Sequence, residues 1–318
     1  MTPYAQIAKR LPGFLYKLAA QSYIDRVYPR HLFIETTAHC NLSCSFCPRE
    51  KITSDMDFGL FRKIIDEASQ YGARSFSLHL FGEPLLYSRI FEAICYIKQR
   101  NRRHTVLLTT NGTKVNECVN ELVSSKVDQV FWTWRREAKF GVSTLLKLNR
   151  WGKFRIRFID EITPDEARKE WAEWKNVEGR RMHNYGGEID TGKWPKSTEK
   201  SMDQEKKETS GLTASQVQPL RESFSLRKNS LKWESRWPCY HLWLAPAISW
   251  NGKFLMCCAD PHQREVFGDV TKENVSVGWK RVERVRQSHL RGEYKGICES
   301  CDVWKEYPDI FFKGQKRG

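Results

Sequence analysis

The sequence predicts an α/β fold, a partial (β/α)6 barrel of the TIM type followed by a small α+β module. Three observations carry this expectation. Strand-like and helix-like segments alternate from Leu32 to Trp174, which implies parallel strands joined by right-handed crossovers with helices outside. The runs richest in Cys, Gly and Asn fall directly after strand-like segments, at the end of a parallel barrel where ligands gather. Periodicity then lapses, and five more cysteines follow, four of them, Cys239, Cys257, Cys298 and Cys301, spaced around a hairpin-like stretch.

Taken in order, Tyr4 to Tyr28 has helical apolar spacing and forms a lead-in, residues 1–30. The barrel, residues 31–190, reads as Leu32–Thr36 strand, Phe58–Tyr71 helix, Ser75–Leu80 strand, Ile90–Gln99 helix, Thr105–Thr109 strand and Val115–Ser124 helix. It continues with Gln129–Trp134 strand, Val142–Trp151 helix, Phe154–Ile159 strand, Pro164–Trp174 helix and a sixth strand around Arg180–His183. Residues 191–234 are rich in Lys, Glu, Ser, Thr and Gln and read as a charged connector, extended or lid-like. Residues 235–318 form the C-terminal module, with Asn251-Gly252 between β-rich flanks as the hairpin turn.

The 318 residues suffice for a barrel-sized domain and a smaller module. No apolar run of about 18 residues occurs, and Met1 to Arg30 mixes charges into its apolar positions, so neither a membrane span nor a cleavable signal is expected. The expected location is cytoplasmic, with the clustered cysteines among the ten kept reduced as metal ligands. A net charge of +15 and a pI near 9.4 point to an anionic partner and leave nucleic acid open. The basic residues are scattered, however, as on a solvated surface.

After the first strand comes His39-Cys40-Asn41-Leu42-Ser43-Cys44-Ser45-Phe46-Cys47-Pro48, a C-x-x-x-C-x-x-C run. A short loop can turn three thiolates toward one cubane cluster and leave its fourth iron without a protein ligand. The alternative is a zinc loop completed by His39 or a distant group. Phe81-Gly82-Glu83-Pro84 follows the second strand, Thr109-Thr110-Asn111-Gly112-Thr113 the third, and Trp132-Thr133-Trp134-Arg135 the fourth. Asn184-Tyr185-Gly186-Gly187-Glu188 follows the sixth. Taken singly, the Gly-Glu-Pro and Asn-Gly runs are ordinary turn text.

Together these runs resemble the radical S-adenosylmethionine (SAM) superfamily, and Phe46 before the third cysteine is part of the resemblance. It implies a [4Fe–4S] cluster on Cys40, Cys44 and Cys47, with SAM chelating the open iron and yielding a 5′-deoxyadenosyl radical on reduction. It further implies SAM contacts from Phe46, Gly82, Glu83, Pro84, Asn111, Thr133, Asn184 and Gly186. The sequence departs from the family pattern at Phe81, where a glycine is usual, and at Trp134-Arg135.

Cys239, Cys257, Cys298 and Cys301, with the hairpin between the first two, resemble the twitch or SPASM module, which holds a second [4Fe–4S] cluster with every iron ligated by protein. A four-cysteine zinc site has the same spacing. Cys95 and Cys118 lie in helix-like text and read as small buried hydrophobes. Cys258 stands beside a ligand position, as its substitute or as a hydrogen-atom donor.

The resemblance implies an oxidoreductase that dehydrogenates a small polar, carbohydrate-like or anionic substrate and passes the second electron to the auxiliary cluster. Reduction would come from a donor such as flavodoxin or ferredoxin. A general base is then needed, and His183, Glu188 and Asp260 are the candidates beside Cys258. Epimerisation and modification of a peptide or protein substrate are the alternatives within the superfamily. With about 30 residues before the first strand, no leader-binding domain is expected. From another class, a zinc-binding nucleic-acid adaptor would share the cysteines and the charge.

Overall fold

In β1 (His31–Ile34) and β3 (Thr105–Thr110) alternate residues are buried, so the period-two pattern of the sequence becomes two faces. The computed structural model describes residues 25–44, 47–133, 140–159, 177–180, 236, 238–239 and 241–303. The expected lead-in helix, the helix at 164–174 and the connector at 191–234 lie outside the described residues. Within them, β1 (His31–Ile34), β2 (Ser75–Ser77), β3 (Thr105–Thr110), β4 (Gln129–Thr133), β5 (Phe154–Ile159) and β6 (Val177–Arg180) pair in sequence order, all parallel. Intervening helices are α1 (Phe58–Ser69), α2 (Ile90–Arg100), α3 (Val115–Ser124) and α4 (Val142–Trp151).

The sixth strand lies earlier than the sequence places it, because its register is set by pairing Ile156 with Val177 and Ile159 with Arg180. Gly179 sits inside it and weakens its strand signal. β2 is also shorter than expected. Its ladder ends as the Leu78 amide donates to Leu107 O, and the chain then turns toward Phe81.

Leu32, Ile34, Phe76, Leu78, Val106, Leu108 and Val130 form the buried outer face of the sheet. Against it lie Phe61, Ile64, Ile65 and Ala68 of α1 and Ile90, Ala93, Ile94 and Ile97 of α2, at the i, i+3, i+4, i+7 spacing of an apolar helix stripe. Each such side chain stabilises the fold by roughly 1.5–3 kcal/mol through burial. Trp132 belongs to the same face: it is 1% exposed and packs on Phe140 and Phe154, so it is wall packing rather than substrate pocket.

The C-terminal module continues the barrel sheet. After α5 (His241–Leu244), β7 (Ala247–Ile248) pairs parallel with β1, and the hairpin adds β8 (Lys253–Leu255) and β9 (Val266–Asp269) antiparallel. The order is β6-β5-β4-β3-β2-β1-β7-β8-β9, with β6 and β9 as edges, an open rather than closed barrel. Helices α6 (Val275–Arg281), α7 (Glu283–Leu290) and α8 (Ile297–Ser300) complete the module.

Polar ties reinforce the joint between module and barrel. Glu67 of α1, 8% exposed, accepts from the first amides of α6, Val275 at 2.8 Å and Ser276 at 3.1 Å. A carboxylate there satisfies orphan N–H groups and meets the positive helix end. Lys63 Nζ donates to Val270 O at 2.7 Å, and Trp279 Nε1 donates to Asp25 O at 2.7 Å.

Candidate functional site

The cysteine loop leaves β1 at the carboxyl end of the sheet. Its base is anchored where Ala38 N donates to Ser54 O and Met56 N to Thr36 O, both at 2.9 Å. Arg49 closes the loop, its Nη2 donating to Cys40 O at 3.1 Å and Leu42 O at 3.0 Å. Cys47 N donates to Cys44 O at 3.1 Å, a tight turn between the second and third thiols. Burial, and then the nearby Cys44 and Cys40 sulfurs, push the Cys47 thiol above its ordinary pKa. Three thiols that repel one another as thiolates are a donor set suited to a cationic cluster, whose charge offsets that cost. Phe46 lies outside the described residues.

Two further turns meet this loop. At Gly82 a Cβ would stand 1.9 Å from Thr37 O, so only glycine lets the β2 turn lie on the backbone leading into the cysteines. Glu83 N then donates to His39 O at 2.8 Å. The Glu83 carboxylate, 2% exposed, accepts from Thr110 Oγ1 at 2.7 Å, Asn111 N at 2.6 Å and Leu85 N at 3.0 Å. Burial raises its pKa to about 7 against the pull of these donors. Its oxygens thus staple the second turn to the third, and Pro84 is buried beneath it in a short 3-10 turn.

Asn111 reaches back to the loop, donating from Nδ2 to Asn41 Oδ1 at 3.0 Å and to Cys40 Sγ at 3.8 Å. Asn41 Nδ2 in turn donates to Thr113 Oγ1 at 2.9 Å. Trp132 Nε1 donates to Asn111 O at 3.1 Å, and the next residue, Gly112, has φ +86° with Trp132 Nε1 only 2.2 Å from where a Cβ would be. Thr133, 8% exposed, ends β4 on the opposite face from Trp132. The runs after the first four strands are therefore brought together as the sequence implied. His183, Asn184, Gly186 and Glu188 lie outside the described residues.

Inside the barrel below the loop, Phe33 of β1 is surrounded edge-on by His31 (4.9 Å) and His79 (5.6 Å), with His241 of α5 at 6.3 Å. Burial holds the His31 imidazole down at about 4, and its Nε2 meets Ser77 Oγ at 3.0 Å. His241 brings the first helix of the C-terminal module against this aromatic cluster.

Cys239, Cys257, Cys298 and Cys301 gather in that module. Burial first, and then the neighbouring sulfurs, raise the thiols of Cys239 and Cys257 well above their ordinary range and Cys298 to about 12. Cys258 is close enough to act on both Cys239 and Cys257. Among the described residues no three Cys, His, Asp or Glu side chains converge as a single-ion site. A cubane is wider than an ion and takes its thiols from separate corners. Cys239 N donates to His289 Nδ1 at 3.3 Å, and Glu265 accepts from Ile297 N at 2.9 Å at the start of the helix bearing Cys298.

Asp260 is not open to substrate. It is 1% exposed, and its oxygens accept from Arg264 N at 3.0 Å and Glu265 N at 2.9 Å, holding the turn behind Cys257 and Cys258. Cys95 and Cys118 are half-buried on their helices rather than in the core. Cys95 Sγ accepts from Gln99, and Cys118 Sγ donates to Lys114 O. No sequence pattern marks Arg49 or Glu35 for the site. Glu35, 5% exposed at the end of β1, accepts from Phe81 N and Trp250 N, both at 3.3 Å.

The radical SAM superfamily model matches residues 34–131, and the SPASM iron–sulfur cluster-binding domain model matches residues 239–302. The chain therefore carries a radical SAM domain followed by a SPASM domain. The first domain implies SAM and a [4Fe–4S] cluster as cofactors, and the second implies auxiliary iron–sulfur chemistry. The chain is 31% identical over 109 residues to the tungsten-containing aldehyde ferredoxin oxidoreductase cofactor-modifying protein of Pyrococcus furiosus, covering 33% of this chain and 30% of that protein. It is 32% identical over 100 residues to the GTP 3′,8-cyclase of Chlorobaculum tepidum, covering 30% of each. The chain thus spans about a third of the length of the curated relatives it matches.

Among solved structures, BtrN in complex with AdoMet and 2-DOIA superposes with a TM-score of 0.57 at 18% identity, over 86% of this chain and 92% of that one. Streptococcus suis SuiB bound to precursor peptide SuiA gives 0.57 at 17%, over 92% and 74%. Native anSMEcpe with bound AdoMet and Cp18Cys peptide gives 0.56 at 15%, over 86% of each. At these identities the likeness is one of fold. No helix among the described residues is long and apolar enough to cross a membrane.

Proposed function

We propose that this radical SAM enzyme dehydrogenates a small polar, carbohydrate-like or anionic substrate. Cys40, Cys44 and Cys47 hold the SAM-binding cluster, and Cys239, Cys257, Cys298 and Cys301 hold an auxiliary [4Fe–4S] cluster. When bound, SAM and its cluster supply an adenosyl radical that takes a hydrogen atom from substrate. The protein's part is to orient and shield. Arg49 and Asn111 fix the cysteine loop, Gly82 and Glu83 fix the adjoining turn, and Thr133 presents a hydroxyl at the fourth strand. The observation that carries the reading is the convergence of these turns on the loop while four further thiols gather in the module paired to β1. An auxiliary centre with four thiol ligands keeps no open iron, which suits electron transfer and hence oxidation.

A base must accept the substrate proton. With Asp260 engaged in its turn, His183 and Glu188 remain the candidates. The net charge of +15 fits an anionic or polyhydroxylated substrate and an acidic electron donor such as flavodoxin or ferredoxin.

Modification of a peptide or protein is the second reading. It is favoured by the fold shared with SuiB and anSMEcpe, whose structures hold peptides. Anaerobic turnover with candidate sugars and peptides, followed by mass spectrometry, separates the two. The proposed activity gives 5′-deoxyadenosine with a small-molecule product lacking two hydrogens, whereas a modified peptide with unchanged small molecules would overturn it.

A further inference from the structure

Glu35 stands where barrel and auxiliary module meet, and the established parts of the site do not use it. It ends the strand that leads into the cysteine loop, and its backbone amide donates to Ile248 O of β7 at 2.9 Å. The carboxylate is almost completely covered and accepts from the backbone amides of Phe81 and Trp250, while the Gly82 amide also favours its charged form. No cation among the described residues bonds to it. A buried carboxylate without a counter-ion costs several kcal/mol unless its hydrogen bonds are worth more. An apolar residue here would avoid that cost but leave the Phe81 and Trp250 amides unsatisfied.

The two donors come from different places. Phe81 and Gly82 form the turn after β2, whereas Trp250 lies in the turn from Ser249 to Gly252, closed by Gly252 N donating to Ser249 O at 2.9 Å. The β2 turn has no slack on its other side, given the contact between Gly82 and Thr37 O and the bond from Glu83 N to His39 O. A shift of the hairpin is thus passed through one side chain to the turn, and from there to the backbone entering Cys40. A second contact runs alongside, from His262 of the module to Glu50 at 3.3 Å.

We propose that Glu35 is a positioning residue that couples the auxiliary hairpin to the SAM-binding turn, so that occupancy of one site is felt at the other. This rests on the reading of the Cys40–Cys47 loop and Gly82 turn as the SAM site. In the reconstituted holoenzyme, SAM binding then protects amides from hydrogen exchange both at 79–84 and, across the module boundary, at 249–252. Glu35→Gln keeps the shape but turns an NH2 group on at least one amide donor. It is expected to keep wild-type iron content, to bind SAM about tenfold more weakly, and to lose the SAM-induced protection at 249–252 while keeping it at 79–84.

If Glu35→Gln loses iron, the same question is put from the other side. Trp250→Pro removes the amide at a turn position that accepts proline, and Trp250→Ala keeps it. Only the proline variant is expected to uncouple. Wild-type coupling and SAM affinity in Glu35→Gln, or equal behaviour of the two Trp250 variants, would overturn the proposal. Absence of any SAM-dependent protection at 79–84 in the wild-type holoenzyme would instead overturn the SAM-site reading beneath it.

Discussion

Glu83 shows how much of the site depends on single buried side chains. Its three donors lie in the second and third turns, so truncation leaves the Thr110 hydroxyl and the Asn111 amide without their acceptor. Glu83→Ala is expected to lower stability by about 2–4 kcal/mol and Glu83→Gln by less, read as denaturation midpoints. Glu35 and His31 give opposite pH signatures. Folded Glu35 holds a proton up to about 7 that the unfolded chain has released above 4.5, so its contribution lowers stability as pH rises across that window. His31 stays neutral down to about 4 while the unfolded chain protonates below 6.5, so it lowers stability as pH falls across that window. Glu35→Gln should flatten the first decline and His31→Gln the second, each by up to ~3 kcal/mol in denaturation of metal-free protein. Cys257 and Cys258 are also separable. Cys257→Ala should lower iron by about four per chain and Cys258→Ala should not, and the reverse would exchange their roles.

At the scale of elements, the turn after β2 is the least tolerant segment. Gly82→Ala places a methyl against Thr37 O, which backbone cannot yield cheaply. The variant is expected to fold around its barrel core yet lose about half its iron, from the Cys40–Cys47 loop alone. Retention of full iron would show that the turn and loop are not in register. The same segment shows what a sequence displays. Three cysteines in ten residues, Gly-Glu-Pro and Asn-Gly are local text, and alternating strands and helices put them at one end of a sheet. The boundaries of α3, α4 and β5 were legible for the same reason, since apolar periodicity there has no competitor. Glu35, Arg49 and Glu67 were not legible. Glu35 and Glu67 take partners as far as 215 and 209 positions away, and no local pattern marks a glutamate for such work. Nor does local text show that Asp260, an acidic residue beside a ligand position, accepts from the Arg264 and Glu265 amides.

The described strands form one extended sheet. Sequence divides barrel from module at the charged connector, yet β7 pairs with β1, Glu67 caps α6 and Trp279 bonds to Asp25. The strand that feeds the radical loop is therefore also the strand that carries the auxiliary hairpin, which places both sets of thiols on one continuous support. That arrangement suits a protein in which substrate chemistry and electron removal occur at separate centres. It also explains why charge alone pointed too widely. A surplus of 15 positive charges serves an anionic substrate, an acidic donor or a nucleic acid equally, and the comparisons support no nucleic-acid role.

The central claim is that the two sets of thiols hold two clusters of which one is catalytic. It is tested most directly by iron and acid-labile sulfide per chain after anaerobic reconstitution, together with reductive SAM cleavage, in wild type and in a Cys40→Ala, Cys44→Ala, Cys47→Ala variant. The account predicts about eight irons falling to about four, with 5′-deoxyadenosine formation abolished. Zinc in place of iron, or SAM cleavage that persists in the variant, would contradict it.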